Sequence, residues 1–135
     1  MEKIIMSASR TDNGYCCACN LLSGWVVAYT GSMDGFKEYV KESIDFYLDG
    51  RKENGEKYPS VFDGEYEIVY DFDVATLLDY YRGIFSFSAL QVITGINQKQ
   101  LAHYASGVSV PRPQQVAKIK MGLRKLAQDI EMVTV

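Results

Sequence analysis

The sequence predicts an α+β protein in two parts: a small sheet-and-helix domain over residues 1–71 and an all-helical helix-turn-helix domain over residues 72–135. Three observations point there. Short runs of alternating apolar residues are confined to the first 72 positions, and after them apolar residues recur only at helical spacing. Charge divides at the same place: residues 1–71 hold seven basic and thirteen acidic side chains, a net −6, and residues 72–135 hold seven and four, a net +3. Third, the run Ser88–Gly107 reads as two short helical patterns pivoting on Gly95.

The elements follow in order. Ile4–Arg10 reads as a strand, Thr11–Gly14 as a turn and Tyr15–Asn20 as the returning strand, because Asn13-Gly14 is a strong hairpin signal with both residues tolerant of positive φ. Trp25–Tyr29 is apolar at successive positions, the pattern of a central strand covered on both sides, or on one side and by a partner. From Met33 to Asp49 the apolar Phe36, Val40, Ile44, Tyr47 and Leu48 fall at helical spacing, with Lys37, Glu38, Lys41, Glu42 and Asp45 between them. Residues 50–64 read as a loop. Glu65–Phe72 alternates, with Tyr66, Ile68, Tyr70 and Phe72 on one face and Glu65, Glu67 and Asp71 on the other. Asp73 then caps a helix striped by Val74, Leu77, Leu78 and Tyr81. Helices near 87–94, 97–105 and 113–131 follow, punctuated by Asn97, Gly107 and Pro113.

With 135 residues, 47% of them hydrophobic, the chain has enough apolar material for packed cores. It has no run near the roughly 18 apolar residues of a membrane span, and its first residues lack a signal peptide's apolar stretch, so a cytoplasmic location with no membrane partner is expected. Cys16, Cys17 and Cys19 are crowded into four positions, too close for ordinary disulfide geometry, and read as reduced thiols. The single histidine, His103, lies far from them, so neither a metal site nor any other cofactor is expected.

Residues 86–126 carry six lysines and arginines and no acid, inside a chain that is acidic overall. In the helix led by Asn97, Leu101, Tyr104 and Ala105 face inward, which leaves Gln98, Lys99, Ala102 and His103 outward. Amides and ammonium groups at a helix N-terminus match base edges: glutamine pairs with adenine and lysine donates to guanine. The expected DNA-contacting residues are therefore Asn97, Gln98, Lys99, Gln100 and His103, with Arg112 and Lys118, joined by Lys120, Arg124 and Lys125, as phosphate contacts. A reader of this kind is expected to be a homo-oligomer, since one helix-turn-helix spans only a few base pairs and operators mirror a two-fold axis. Val116, Ile119, Leu123, Leu126 and Ile130 form a stripe that packs on the protein's own helices or on a second copy. Catalysis finds no support, because no base is free to activate a nucleophile and no glycine-rich phosphate loop occurs.

The pattern Ile4-Ile5, Asp12-Asn-Gly-Tyr15, Leu22-Ser-Gly24 and Ile44-Asp-Phe-Tyr-Leu-Asp-Gly50 resembles the HicB family of antitoxins over nearly the whole chain. The resemblance implies a βββαβ domain with a partial ribonuclease-H-like fold lacking nuclease activity. It also implies a DNA-binding domain, for which Ser88–Gly107 and Pro111-Arg-Pro-Gln-Gln115 look like the helix-turn-helix subtype. The implied function is to bind and neutralise a HicA-like mRNA-cleaving toxin and to repress the operon by operator binding in the major groove. The acidic Glu65, Glu67 and Asp71 are the surface expected to meet such a basic toxin. A stand-alone regulator without a toxin is the alternative, and a metal-dependent nuclease on the same fold is a third reading that needs clustered carboxylates.

Overall fold

The first strand, β1 (Glu2–Arg10), turns back on β2 (Gly14–Ala18) through a tight loop closed by Thr11 N–H donating to the Gly14 carbonyl at 2.8 Å. The turn differs from the one expected, because neither Asn13 nor Gly14 has positive φ. Gly14 is needed for another reason: a β-carbon there would overlap the Tyr29 carbonyl of β3 (Val26–Thr30), whose Thr30 it pairs with. The computed structural model describes residues 1–135 and divides into two compact units, Met1–Phe72 and Asp73–Val135, one residue from the expected 71/72 division.

In the first unit, β1, β2 and β3 form an antiparallel meander and β4 (Tyr66–Phe72) lies parallel to β1, giving a mixed sheet of order β3-β2-β1-β4. A parallel return needs a crossover, and α1 (Met33–Glu53) supplies it. Ser32 caps α1 by accepting from the Gly35 N–H, and Met33, Phe36, Val40, Ile44 and Leu48 form its buried stripe. That stripe meets Ile4, Met6, Ala8 and Cys17 on the inner sheet face. Trp25 Nε1 donates to Ser43 Oγ at 3.1 Å and Tyr47 Oη to the Ser23 carbonyl at 2.6 Å, which fastens the β2–β3 connection to the helix.

Two expectations are corrected here. The strand at Trp25–Tyr29 is an edge, not a centre: Val26, Ala28 and Thr30 face outward, and nothing within this unit covers that side of the sheet. Ile5 and Val69, paired on the same outer face, are likewise 62% and 39% exposed. The segment read as a loop from Gly50 begins helical, since α1 continues to Glu53, and it holds a single 3-10 turn at Ser60–Asp63.

The second unit is all-helical: α2 (Val74–Tyr81), α3 (Phe87–Thr94), α4 (Gln98–Ser106) and α5 (Pro113–Glu131). Leu78, Leu90, Ile96, Leu101, Tyr104, Ala105 and Ile119 close its core. Helix α5 approaches the end of α3 so closely that a β-carbon on Gly122 would overlap the Ile93 carbonyl and crowd Thr94 Cα. Gly122→Ala is therefore expected to destabilise this unit by about 1–3 kcal/mol from overpacking, exceeding the roughly 1 kcal/mol that alanine gains in helix propensity. Chemical denaturation of the full chain checks the sign. No helix of the protein is long and apolar enough to cross a membrane.

Candidate nucleic-acid interface

Helices α3 and α4 are joined by a three-residue turn whose geometry is locked at every position. Ser86 caps α3 by accepting from the Ala89 N–H at 3.1 Å. Gly95 ends it in the left-handed region, φ 75°, and donates to the Gln91 carbonyl at 2.8 Å. Thr94 Oγ1 donates to the Leu90 carbonyl and accepts from Ile96 N–H, so a buried hydroxyl both finishes α3 and steers the chain out of it. Asn97 Oδ1 accepts from Lys99 N–H at 2.9 Å, and Gln91 Oε1 reaches over to accept from Gln98 N–H at 2.9 Å. The first turn of α4 is thus held both by its own cap and by the preceding helix.

Leu101, Tyr104 and Ala105 are buried, which places Lys99 and His103 at the centre of the opposite face, flanked by Gln98, Ala102 and Ser106. Asn97, Gln98, Lys99 and His103 are exposed. Gln100 is the exception among the expected contacts: it is half-buried, and its amide nitrogen donates to Ser109 Oγ at 3.2 Å across the turn that Gly107 makes at φ 82°. Gln91 and Ser109 are supporting residues that the sequence reading left out. The seven-residue separation of Gln91 from Gln98, two helical turns broken by a turn, is the only trace of the former in the sequence.

The basic residues of α5 are spread over its exposed side. Arg112 caps α5 with its backbone and is exposed, as are Lys118, Lys120, Arg124 and Lys125. At 100° per residue Lys118 and Lys125 share one flank of α5, whereas Lys120 and Arg124 share the other, with the buried Ile119 and half-buried Leu123 between the two on the inward side. Lys125 is further engaged by Asp129 at 2.8 Å.

In the first unit, Glu67 and Asp71 stand exposed on the outer sheet face beside Ile5 and Val69, and Glu65 is exposed just ahead of β4. No group of three or more His, Cys, Asp or Glu side chains is placed to hold a metal ion. Cys17 and Cys19 are buried and free, and burial together with the neighbouring Cys16 and Cys19 pushes the Cys17 thiol up to about 12, far from the thiolate range in which cysteine is a nucleophile. No protein-family model, curated protein or solved structure matches the chain.

Proposed function

We propose that the protein is a DNA-binding repressor of helix-turn-helix type and an antitoxin, its second unit reading an operator through α4 and its first unit holding a basic mRNA-cleaving toxin of the HicA kind. The observation that carries the DNA reading is the acid-free α3–α4 pair, whose left-handed Gly95 turn and doubly anchored first turn present Gln98, Lys99 and His103 on a rigid exposed face. Arg112 and the exposed Lys118, Lys120, Arg124 and Lys125 of α5 add phosphate contacts.

The toxin reading rests on the uncovered sheet face. Ile5 and Val69 supply an apolar centre, and Glu67 and Asp71 flank it in a unit of net charge −6, a combination suited to a small basic protein. The mixed β3-β2-β1-β4 sheet with one crossover helix is consistent with a reduced ribonuclease-H-like domain, in keeping with the HicB resemblance.

Selection of bound duplexes from a random pool by the full chain tests the DNA reading. A palindromic consensus with half-sites about one helical turn apart, bound by a dimer or tetramer, is the expected result. Affinity for it should fall steeply as salt rises from about 50 to 200 mM, because phosphate contacts release counterions. Recovery of no consensus, with binding no tighter than to bulk DNA, overturns it.

A further inference from the structure

The free edge of β4 and the overhanging side of α1 flank an open groove of about 470 Å³ in the first unit, which Glu67 also lines near its Asp45–Tyr66 end. Its two walls are ladders of matching step. Along α1, Lys37, Lys41 and Asp45 follow one another at four-residue intervals, about 6 Å per step; along β4, Tyr66, Ile68 and Tyr70 follow at two-residue intervals, about 6.6 Å per step. The ladders run in opposite directions. Lys37 Nζ lies 5.5 Å from the centre of the Tyr70 ring, and Asp45 is near enough to Tyr66 to add to the burial that raises its phenol above the usual range. The groove is therefore cationic at the Lys37–Tyr70 end, apolar at Ile68 and anionic at the Asp45–Tyr66 end.

A further feature calls for an occupant. β4 is hydrogen-bonded only to β1, so alternate residues of Tyr66–Phe72 offer backbone N–H and C=O groups to whatever lies alongside.

We infer that this groove receives an extended segment of a partner protein, which adds antiparallel to β4 as a fifth strand and carries the pattern Glu-x-Val-x-Lys. The inward side chains of such a strand recur every 6.6 Å, in step with both walls. Its glutamate meets Lys37 and Lys41, its valine covers Ile68, and its lysine meets Asp45. The same three charges guard the edge against indiscriminate pairing, since a segment with the opposite order brings like charges together at both ends. This inference stands independently of the DNA and toxin readings.

The test uses the full chain and the blocked heptapeptide Thr-Glu-Thr-Val-Thr-Lys-Thr, with binding followed by amide chemical shifts. Shifts confined to β4 and the facing turns of α1 are expected, with binding at least tenfold weaker for the peptide in which Glu and Lys are exchanged and for an analogue N-methylated on the residues that face the edge. The double variant Lys37→Glu/Asp45→Lys alters only exposed side chains, and it should reverse the preference between the two charge orders, which loss of folding cannot do. Equal binding of both orders, indifference to N-methylation, or no binding overturns the proposal. So does a wild-type dimer that the double variant converts to monomer while the peptide stays unbound, which assigns the edge to a second copy of the chain.

Discussion

Replacing Gln98 and Lys99 together by alanine is expected to weaken binding to the selected operator by about 2–6 kcal/mol, roughly 30-fold to more than ten-thousand-fold, while leaving the fold intact. Each well-placed base-edge pair contributes about 1–3 kcal/mol of discrimination, and both side chains leave the first turn of α4, where a recognition helix meets the groove. Both are exposed, and the two bonds that anchor that turn use the backbone N–H groups of these residues, which alanine retains. The double variant should keep the weaker, salt-dependent affinity for unrelated DNA, because Arg112 and the lysines of α5 are untouched. Titration of a labelled operator by anisotropy, at one fixed salt concentration, separates the two. If the variant binds operator with unchanged affinity and footprint, α4 is not the reading helix. Asn97 is the wrong residue for this experiment, since its side chain caps α4 and its loss costs about 1 kcal/mol of stability as well.

How much of this was legible in the sequence depended on how local the cause was. The inward set Leu101, Tyr104 and Ala105 and the outward set Lys99 and His103 follow from 3.6-residue periodicity alone, and the helix ends at Gly95 and Gly107 from the fact that glycine tolerates the left-handed region. The hairpin was placed correctly for an incomplete reason: Gly14 is demanded by the Tyr29 carbonyl of β3 passing beside it, a contact fifteen residues away, and not by the turn. The edge position of β3 was illegible because Val26-Val27-Ala28 is apolar at every position whether its outer side is covered or bare. The continuation of α1 past Gly50 is a tertiary effect. Tyr47 and Arg51 both reach back to the Ser23 carbonyl, at 2.6 and 3.5 Å, while Arg51 also pairs with Glu56 and lies over the Tyr47 ring, and these contacts hold the last turns of the helix.

The candidate sites divide in the same way. The face of α4 is a contiguous nine-residue helix and could be read from spacing, whereas Gln100 looked equivalent to its neighbours until its bond to Ser109 turned it aside. The groove beside β4 could not be read at all, since Lys37 and Tyr70 are brought together only by the parallel crossover, and each residue by itself suited a wet helix face or a strand.

Phe36→Ala is expected to unfold the first unit at ordinary temperatures and to leave the second able to bind operator. Phe36 is fully buried in the first turn of α1's apolar stripe, with its ring 5.4 Å from Tyr15 and 5.7 Å from Tyr70, so it joins the helix to β2 and β4 at once. Truncating such a phenylalanine costs about 3–5 kcal/mol, a large part of the total stability of a unit of 72 residues. The core of the second unit is drawn wholly from its own residues, Leu78 to Ile119, and contains nothing from the first. Thermal unfolding should therefore lose one transition and keep the other, and amide exchange should become fast throughout Met1–Phe72 alone. Operator affinity per protomer should stay within a few-fold of the wild type. Toxin neutralisation and peptide binding should both disappear, because the outer sheet face and the β4 groove exist only in the folded unit. Simultaneous loss of both transitions and of operator binding would show that the two halves depend on one another for folding or for assembly on DNA.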